Sequence, residues 1–364
     1  MASQSRTDLY VGTVKGLFHF RSDDRRAWRR EGFHFPEVPI YGVGFDAMTG
    51  TLYASLNNIF FGLEIRRSTD LGWTWSATAS TPSYGADDDE KVTRVWSFAP
   101  APDEGEGVVY AGVEASGLFR SADRGDSWAE VAALRRHPTH DTWGPGFGGK
   151  CLHTIALDQH RPGRMYIAVS AGGIYRTEDR GASWQPINRG IRCDFNPEPM
   201  RYPESGQCVH RFALSPTRPD RIFLQNHGGV YRSDDGGDSW VDIGKNLPQD
   251  FGFAVVAHPH RADTAFTVPL QADEGRWFLG NQMGLYRTDD AGESWRPLRN
   301  GLPGEVWSGV LRGALTHDEE PRVGLYFGTT TGEVYASADE GESWNAVAGH
   351  LPRVLAVAAV TRER

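Results

Sequence analysis

Residues 121–128 read Ser121-Ala122-Asp123-Arg124-Gly125-Asp126-Ser127-Trp128, and the chain repeats this Ser/Thr-x-Asp-x-Gly-x-Ser/Thr-Trp pattern along its length. Five further copies keep every marked position, at residues 68–75, 177–184, 233–240, 288–295 and 337–344. A seventh copy, at residues 22–28, is one residue shorter and lacks the Gly. Successive copies end 47 to 56 residues apart. Such a period is typical of propellers and solenoids rather than of independent domains.

Each repeat is predicted to form four short strands. The fifth repeat shows this most clearly, because its apolar residues alternate and Gly or Pro turns separate the segments. The four strands that we predict there are residues 208–214, 222–225, 230–233 and 240–243. Four antiparallel strands of this length make one blade of a β-propeller.

The repeated Ser/Thr-x-Asp-x-Gly-x-Ser/Thr-Trp segment, called the repeated turn below, is predicted to be structural. Its Asp can accept backbone N–H bonds, its Gly can adopt positive φ, and its hydroxyl can tie the loop. Its Trp can pack on the blade. We therefore expect the chemistry of the protein to lie elsewhere.

The two ends of the chain are predicted to complete one blade. Residues 9–12, 17–20 and 27–33 supply a second, third and fourth strand without a first, and residues 354–360 form an apolar strand with no blade of its own. Joining them closes the ring and removes free sheet edges. The sequence thus predicts an all-β, seven-bladed propeller of four-stranded antiparallel blades, with residues 1–364 as a single domain.

Composition argues against several classes of partner. The net charge is −9 and the isoelectric point is near 5.7, so we expect neither nucleic acid nor an anionic membrane as a partner. Three cysteines are too few for a disulfide framework, and the polar start carries no signal-peptide pattern. These features predict a cytoplasmic protein.

Long insertions are predicted to lie on one face. Residues 134–149, 188–207 and 269–283 are rich in His, Trp, Phe and Arg. They precede first strands or join second to third strands, which meet on the face opposite the repeated turns. Variable loops on a rigid scaffold are common places for binding sites, so we expect a small-molecule or carbohydrate-like ligand there.

A Cys-x-His motif occurs at the start of two neighbouring first strands. It reads Cys151-Leu152-His153 in one blade and Cys208-Val209-His210 in the next. Side chains two apart on a strand share a face. Both pairs are therefore predicted to lie at the mouth of the central channel, above an apolar core.

Other polar groups are predicted to join them. His227 follows the strand that pairs with the second motif. Glu114 ends the strand that pairs with Arg94, and we align Arg94 with the two motif histidines. Tyr41 takes the corresponding place one blade earlier, and Phe253 takes it in the blade after the second motif.

Imidazole, thiolate and carboxylate groups from adjacent strands are suitable ligands for a divalent transition metal, with zinc favoured. The best set is His153, His210 and His227, with Glu114, Cys151 or Cys208 as a further ligand. A metal with an open position can activate water. Two alternatives stay open: acid–base or substrate-binding work without metal, and plain packing, because cysteine is often a buried apolar residue.

The repeated turn resembles the Asp box, or bacterial neuraminidase repeat, over nearly the whole chain. That superfamily includes sialidases, xyloglucan-active glycosidases, receptors and an assembly propeller, so the resemblance implies a fold more than a chemistry. Sialidases use an arginine triad and a Tyr–Glu pair, which implies Arg94, Arg211 and Arg353 for the triad and Tyr41 with Glu114 for the pair. The Phe/Tyr-Arg-Ile-Pro motif of sialidases is absent.

Three functions follow from these observations. The first is a metal-assisted hydrolase that uses the His/Cys/Glu cluster. The second is a sialidase-like or other exo-glycosidase that uses carboxylates at the channel mouth, which requires two carboxyl groups about 5 to 10 Å apart. The third is a noncatalytic binding or assembly scaffold.

Overall fold

The computed structural model describes residues 5–58, 60–146, 149–272 and 275–363. Within these residues, 28 strands form seven four-stranded sheets. Helical structure there is limited to the 3-10 helices Pro102–Glu104, His140–Thr142, Gly244–Asn246 and Leu279–Asn281. No helix in this described part has the length and apolar character needed to cross a membrane. The prediction of an all-β, seven-bladed β-propeller is confirmed.

The strands are numbered in chain order. The first fourteen are β1 (Ser5–Thr13), β2 (Gly16–Ser22), β3 (Arg29–His34), β4 (Ile40–Asp46), β5 (Thr51–Asn58), β6 (Gly62–Ser68), β7 (Ser76–Ala77), β8 (Arg94–Pro100), β9 (Val109–Glu114), β10 (Gly117–Ser121), β11 (Ala129–Glu130), β12 (Leu152–Leu157), β13 (Met165–Val169) and β14 (Gly173–Thr177). The other fourteen are β15 (Gln185–Pro186), β16 (Val209–Leu214), β17 (Ile222–Asn226), β18 (Gly229–Ser233), β19 (Val241–Asp242), β20 (Gly252–Ala257), β21 (Ala265–Pro269), β22 (Leu285–Thr288), β23 (Arg296–Leu298), β24 (Leu315–His317), β25 (Leu325–Gly328), β26 (Val334–Ser337), β27 (Asn345–Ala348) and β28 (Val354–Glu363).

The chain forms two compact units. The first comprises Met1–Glu37, His210–Asp234 and Val241–Arg364, and the second comprises Val38–Val209 and Asp235–Trp240. The boundary runs through the blade β16-β17-β18-β19, between two consecutive residues of β16. That residues 1–364 act as a single domain stays a prediction.

In the first unit, the two chain ends share one sheet with the strand order β28-β1-β2-β3. Strand β28 pairs antiparallel with β1, from the pair Ser5 and Glu363 to the pair Thr13 and Val354. The predicted closure by residues 354–360 is confirmed, and the strand extends three residues further. The pairing covers the edge that β1 would otherwise expose.

A buried carboxylate links the three strands of this closure. The Asp8 side chain accepts hydrogen bonds from Arg21 Nε at 2.7 Å and from Arg362 Nη2 at 3.0 Å, and its Oδ1 lies 2.6 Å from His19 Nε2. Burial alone would raise the pKa of Asp8, but hydrogen bonds from these three partners lower that pKa below its ordinary value. The carboxylate therefore ties β1 to both β2 and β28.

In the second unit, the blades share one register. Tyr53, Tyr110 and Tyr166 are fully buried at equivalent positions of β5, β9 and β13. Their partners on the first strands are all small: Gly44, Ala99 and Ala156. A small partner leaves room for each ring, so these pairs define which residues of the three blades are equivalent.

The repeated turn is a closed set of hydrogen bonds. In residues 177–184, Thr177 Oγ1 donates to Asp179 Oδ1 at 2.7 Å and accepts from Gly181 N at 2.9 Å. Ser183 Oγ donates to Asp179 Oδ2 at 2.6 Å, and Trp184 is buried on the blade. The same contacts recur in residues 68–75, 121–128, 288–295 and 337–344. Hydrogen bonding within the repeated turn is therefore enough to explain why these residue types recur, without a catalytic or binding role for them.

Candidate functional site

The pairing register of the first strands β8 and β12 corrects the predicted equivalence of Arg94 with the motif histidines. Ala99 and Ala156 oppose equivalent tyrosines, and three residues before each of them the first strand bulges. The bulged residues are Trp96 and His153, so Trp96, and not Arg94, is the equivalent of the motif histidine. Loops before first strands differ in length, whereas residues after the bulge keep a common register. Counting from the bulge is what reveals the equivalence.

Glu114 is the centre of a polar and aromatic cluster in the second unit. Its Oε2 accepts hydrogen bonds from Arg94 Nη1 at 2.8 Å and from Trp96 Nε1 at 3.0 Å. The Tyr41 ring packs on Trp96 with centroids 4.9 Å apart, and the Arg94 guanidinium lies 5.1 Å from the Tyr41 centroid. The structure thus brings together three of the four predicted catalytic residues. Trp96 was missed, although its place before Phe98-Ala99-Pro100 matches that of His153.

The Glu114 carboxylate occupies space that is open because residue 149 is glycine and has no side chain. A Cβ added to Gly149 would lie 2.4 Å from Glu114 Oε1, and Gly149 itself has φ of +89°. The Glu114 side chain keeps 17% of its surface exposed. One carboxylate oxygen therefore holds the Arg94 and Trp96 donors while the other faces Gly149.

Arg211, the fourth predicted catalytic residue, belongs to the other compact unit. It lies in β16, half-buried, and burial lowers its pKa to about 10. Among the described residues no carboxylate forms an ion pair with it. The catalytic role of Arg211 stays a prediction.

His153 is engaged by protein groups at both ring nitrogens. Its Nε2 lies 3.0 Å from the Val209 carbonyl oxygen, and its Nδ1 lies 2.8 Å from Thr154 Oγ1. A carbonyl only accepts, so Nε2 donates and Nδ1 accepts from the hydroxyl. Cys151 is fully buried and bridges to the backbone of Glu114. The predicted metal role of His153 and Cys151 finds no support in this arrangement, which favours packing.

The second motif has a different environment. Cys208, His210 and His227 place one ligand atom each within 4.8 Å of one another. Cys208 lies just before β16, His210 lies on β16, and His227 lies in the β17–β18 hairpin of the same blade. In the part of the chain that the structure describes, this is the only group of three or more His, Cys, Asp or Glu side chains with such spacing. His210 is buried and the other two are half-buried.

Packing and hydrogen bonding orient His210. Its Nδ1 lies 2.6 Å from the Gly252 carbonyl oxygen, so Nδ1 carries the proton and Nε2 carries the lone pair. The Phe251 ring contacts both His210 and His227, with centroids 5.6 and 5.0 Å away. A histidine that donates one N–H to a carbonyl is the usual arrangement of a metal ligand.

The first unit also holds a cavity of about 270 Å³. Its lining combines apolar and polar residues: Phe253, Leu270, Gly275, Arg276, Gly309, Val310, Leu311, Thr330 and Arg353. Arg353 was predicted only as one member of a triad, and the structure places it here. The Phe253 ring lies 4.7 Å from the His210 ring, so the cavity adjoins the histidine cluster.

Comparisons with known proteins identify similar folds. No family model matches the chain. A xyloglucanase from Hypocrea jecorina is 25% identical over 260 residues, which cover 67% of this chain and 25% of that enzyme. The chain spans about a quarter of the length of that relative.

Two solved structures are similar to the chain in fold. The GH74 enzyme of Niastella koreensis superposes with a TM-score of 0.62 at 16% identity, covering 93% of this chain and 52% of that one. Ycf48 bound to D1 peptide superposes with a TM-score of 0.53 at 16% identity, covering 84% and 80%. The predicted Asp-box family is not demonstrated by these similarities. They show that the chain shares the β-propeller fold of a glycoside hydrolase and of an assembly protein.

Proposed function

We propose that this chain is a hydrolase in which Cys208, His210 and His227 hold a divalent transition metal, with zinc preferred. The observation that carries the proposal is the convergence of one thiol and two imidazoles within 4.8 Å. Nitrogen and sulfur ligands suit zinc, and three protein ligands leave a fourth position for water. Bound there, the metal would lower the pKa of that water and supply a nucleophile near neutral pH.

The side chains need little movement to form such a site. Metal bonds of about 2.0 to 2.3 Å separate tetrahedral ligands by roughly 3.5 Å, compared with a largest separation of 4.8 Å in the cluster. Small rotations of the half-buried Cys208 and His227 close that difference. The Gly252 carbonyl keeps His210 in the required tautomer.

A carbohydrate-type small molecule is the substrate that we propose. Aromatic rings with a few polar groups line such sites, and Phe251 and Phe253 pack on His210. The similarity to a xyloglucanase supports this substrate class. We also propose a cytoplasmic location, since among the described residues the three cysteines form no disulfide.

Metal-dependent turnover tests the proposal. The purified protein should hydrolyse at least one member of a panel of nitrophenyl esters, phosphates and glycosides. EDTA should abolish this activity, zinc should restore it, and His227→Gln should lower it at least about hundredfold. His350→Asn replaces an exposed histidine outside the cluster and should retain full activity. Activity that survives both EDTA and His227→Gln would refute the metal-assisted mechanism.

A second candidate is a metal-free glycosidase that uses Glu114. The specific observation is a partly exposed carboxylate held by Arg94 and Trp96 beside the Tyr41 ring. Such a mechanism also requires a second carboxyl group about 5 to 10 Å away. Hydrolysis of aryl glycosides that is lost in Glu114→Gln and retained in EDTA would favour this candidate.

A further inference from the structure

Two arginine residues, Arg276 and Arg353, line the cavity in the first unit. These two residues are the charged members of the lining, Thr330 is a polar member, and Phe253 and Val310 are among its apolar members. Its described lining residues include no carboxylate. The volume of about 270 Å³ lies near the lower end of the range for ligand pockets. A cavity of this kind suits a small molecule with an anionic group and a compact body.

Two arginines lie over one aromatic ring of this cavity. The guanidinium carbons of Arg276 and Arg312 lie 5.6 and 5.2 Å from the Phe253 centroid. Arg312 Nε is buried and has no hydrogen-bond partner among the described residues. Arg353 lies at the same cavity, and its carbonyl accepts a hydrogen bond from Val14 N at 3.0 Å. An anion bound in the cavity would be attracted by the positive charges of the arginines beside it.

The segment that carries Arg276 is held in place by its neighbours. A Cβ added to Gly309 would lie 2.4 Å from the Arg276 carbonyl oxygen, so the two backbones pack directly on each other. Phe278 N donates to Ser308 O at 2.8 Å in the same contact. Trp277 Nε1 donates to Gln271 Oε1 at 2.8 Å. Backbone packing and hydrogen bonds therefore fix the segment that carries Arg276 at the edge of the cavity.

The acidic residue nearest in sequence to Thr330 is used elsewhere. Glu333 accepts hydrogen bonds from Thr329 Oγ1 at 2.5 Å and from Thr331 Oγ1 at 2.6 Å. Its carboxylate is thus occupied by two hydroxyl groups of its own hairpin. An anionic ligand would meet the arginines instead.

We propose that this cavity binds the anionic group of a small ligand, either a carboxylate or a phosphate. Planar guanidinium groups recognise both through paired charge-assisted hydrogen bonds. The Phe253 ring would pack against the ligand body on one side and against His210 on the other. This proposal goes beyond the metal site and does not require metal.

Calorimetric titration of EDTA-treated protein tests it. The probes are inorganic phosphate, D-glucuronate and, as the neutral match, D-glucose. At least one anion should bind saturably, glucose should not, and added salt should weaken binding. Tighter binding of phosphate or of glucuronate identifies which anion the cavity prefers.

Matched variants locate the binding. Arg353→Gln and Arg276→Gln should each weaken anion binding about tenfold or more, whereas Arg322→Gln should not. Arg322 keeps 62% of its side chain exposed and does not line the cavity. Circular dichroism and thermal unfolding will confirm that each variant is folded.

Two results would overturn the proposal: no saturable binding of either anion, or unchanged binding in both cavity variants. Zinc binding measured on the wild-type protein and on the cavity variants distinguishes failure of the anion-binding proposal from failure of the metal-site proposal. Loss of anion binding with normal zinc binding would remove this inference and leave the metal site standing.

Discussion

His210 and His227 meet edge to face, with ring centroids 5.4 Å apart and an interplanar angle of 72°. The Gly252 carbonyl fixes the proton of His210 on Nδ1. His153 has the same Cys-x-His context in sequence, but a carbonyl and a hydroxyl occupy its two nitrogens. One motif therefore gives a candidate ligand in one blade and a packed residue in the blade before it.

The hydrogen bond from Trp96 to Glu114 should be measurable as a coupling energy. Trp96→Phe removes the indole donor and keeps most of the ring, so it should lower the free energy of unfolding by about 1 kcal/mol. A double-mutant cycle with Glu114→Gln, followed by urea unfolding, should give a coupling of about 0.5 to 1 kcal/mol. Trp307→Phe, at an exposed residue, serves as the control. Additive effects of the two substitutions would show that this contact does not form.

The repeated turn should account for part of the acid sensitivity of the protein. Hydrogen bonds from Ser183 and Thr177 lower the pKa of Asp179 below its ordinary value of 3.8. A carboxyl whose pKa is lower in the folded state stabilises the fold above its unfolded pKa, and this stability is lost as pH falls through the folded pKa. The stability conferred by the turn should therefore decline below about pH 4.

Asp179→Ala tests this account by removing those bonds. It should lower the free energy of unfolding at pH 7 by about 1 to 3 kcal/mol and flatten the dependence of stability on pH below 4. Urea unfolding at several pH values measures both effects. Asp141→Ala is the control, since that side chain is fully exposed. A variant with the stability and pH dependence of the wild type would contradict the structural role of the turn.

The Asp8 network should be essential to the closure of the first unit. Asp8→Asn removes the charge that faces Arg21 and Arg362 in a buried site, which should cost about 3 kcal/mol of unfolding free energy. Asp23→Asn, at a residue with 40% of its side chain exposed, should cost less than about 1 kcal/mol. Chemical denaturation compares them. Equal stabilities of the two variants would argue against a closure held by Asp8.

Arg211 is expected to reduce stability. A half-buried guanidinium without a carboxylate partner among the described residues carries a desolvation cost. Arg211→Met should raise the free energy of unfolding by about 1 kcal/mol and leave metal content unchanged. Thermal and urea unfolding measure the gain. A loss of stability would instead point to a partner for this charge.

The sequence predicted the blades because their signals are local and repeated. In residues 177–184 the Asp, Gly and hydroxyl residues form hydrogen bonds within eight residues, and four other turns repeat these bonds. The closing strand was equally clear, since residues 354–360 are apolar and have no blade of their own. Both features depend on pattern alone.

The candidate site was less predictable because it depends on register and on neighbours. A bulge shifts the first strand between Val95 and Ser97, so alternation counted from the loop gave Arg94 where Trp96 belongs. Whether His153 can bind a ligand depends on its contacts with the Thr154 hydroxyl and with the Val209 carbonyl of the next blade. The cavity at Arg276 and Arg353 joins loops far apart in the chain, and no local pattern indicates such a meeting.

Metal content tests the central claim most directly. Protein dialysed against zinc and then against buffer should retain one zinc per chain by inductively coupled plasma mass spectrometry, and Cys208→Ser and His227→Gln should each lose it. Cys193→Ser and His350→Asn, which replace residues outside the cluster, should retain it. Wild-type protein without stoichiometric metal, or cluster variants that keep it, would contradict the assignment of Cys208, His210 and His227 as a metal site.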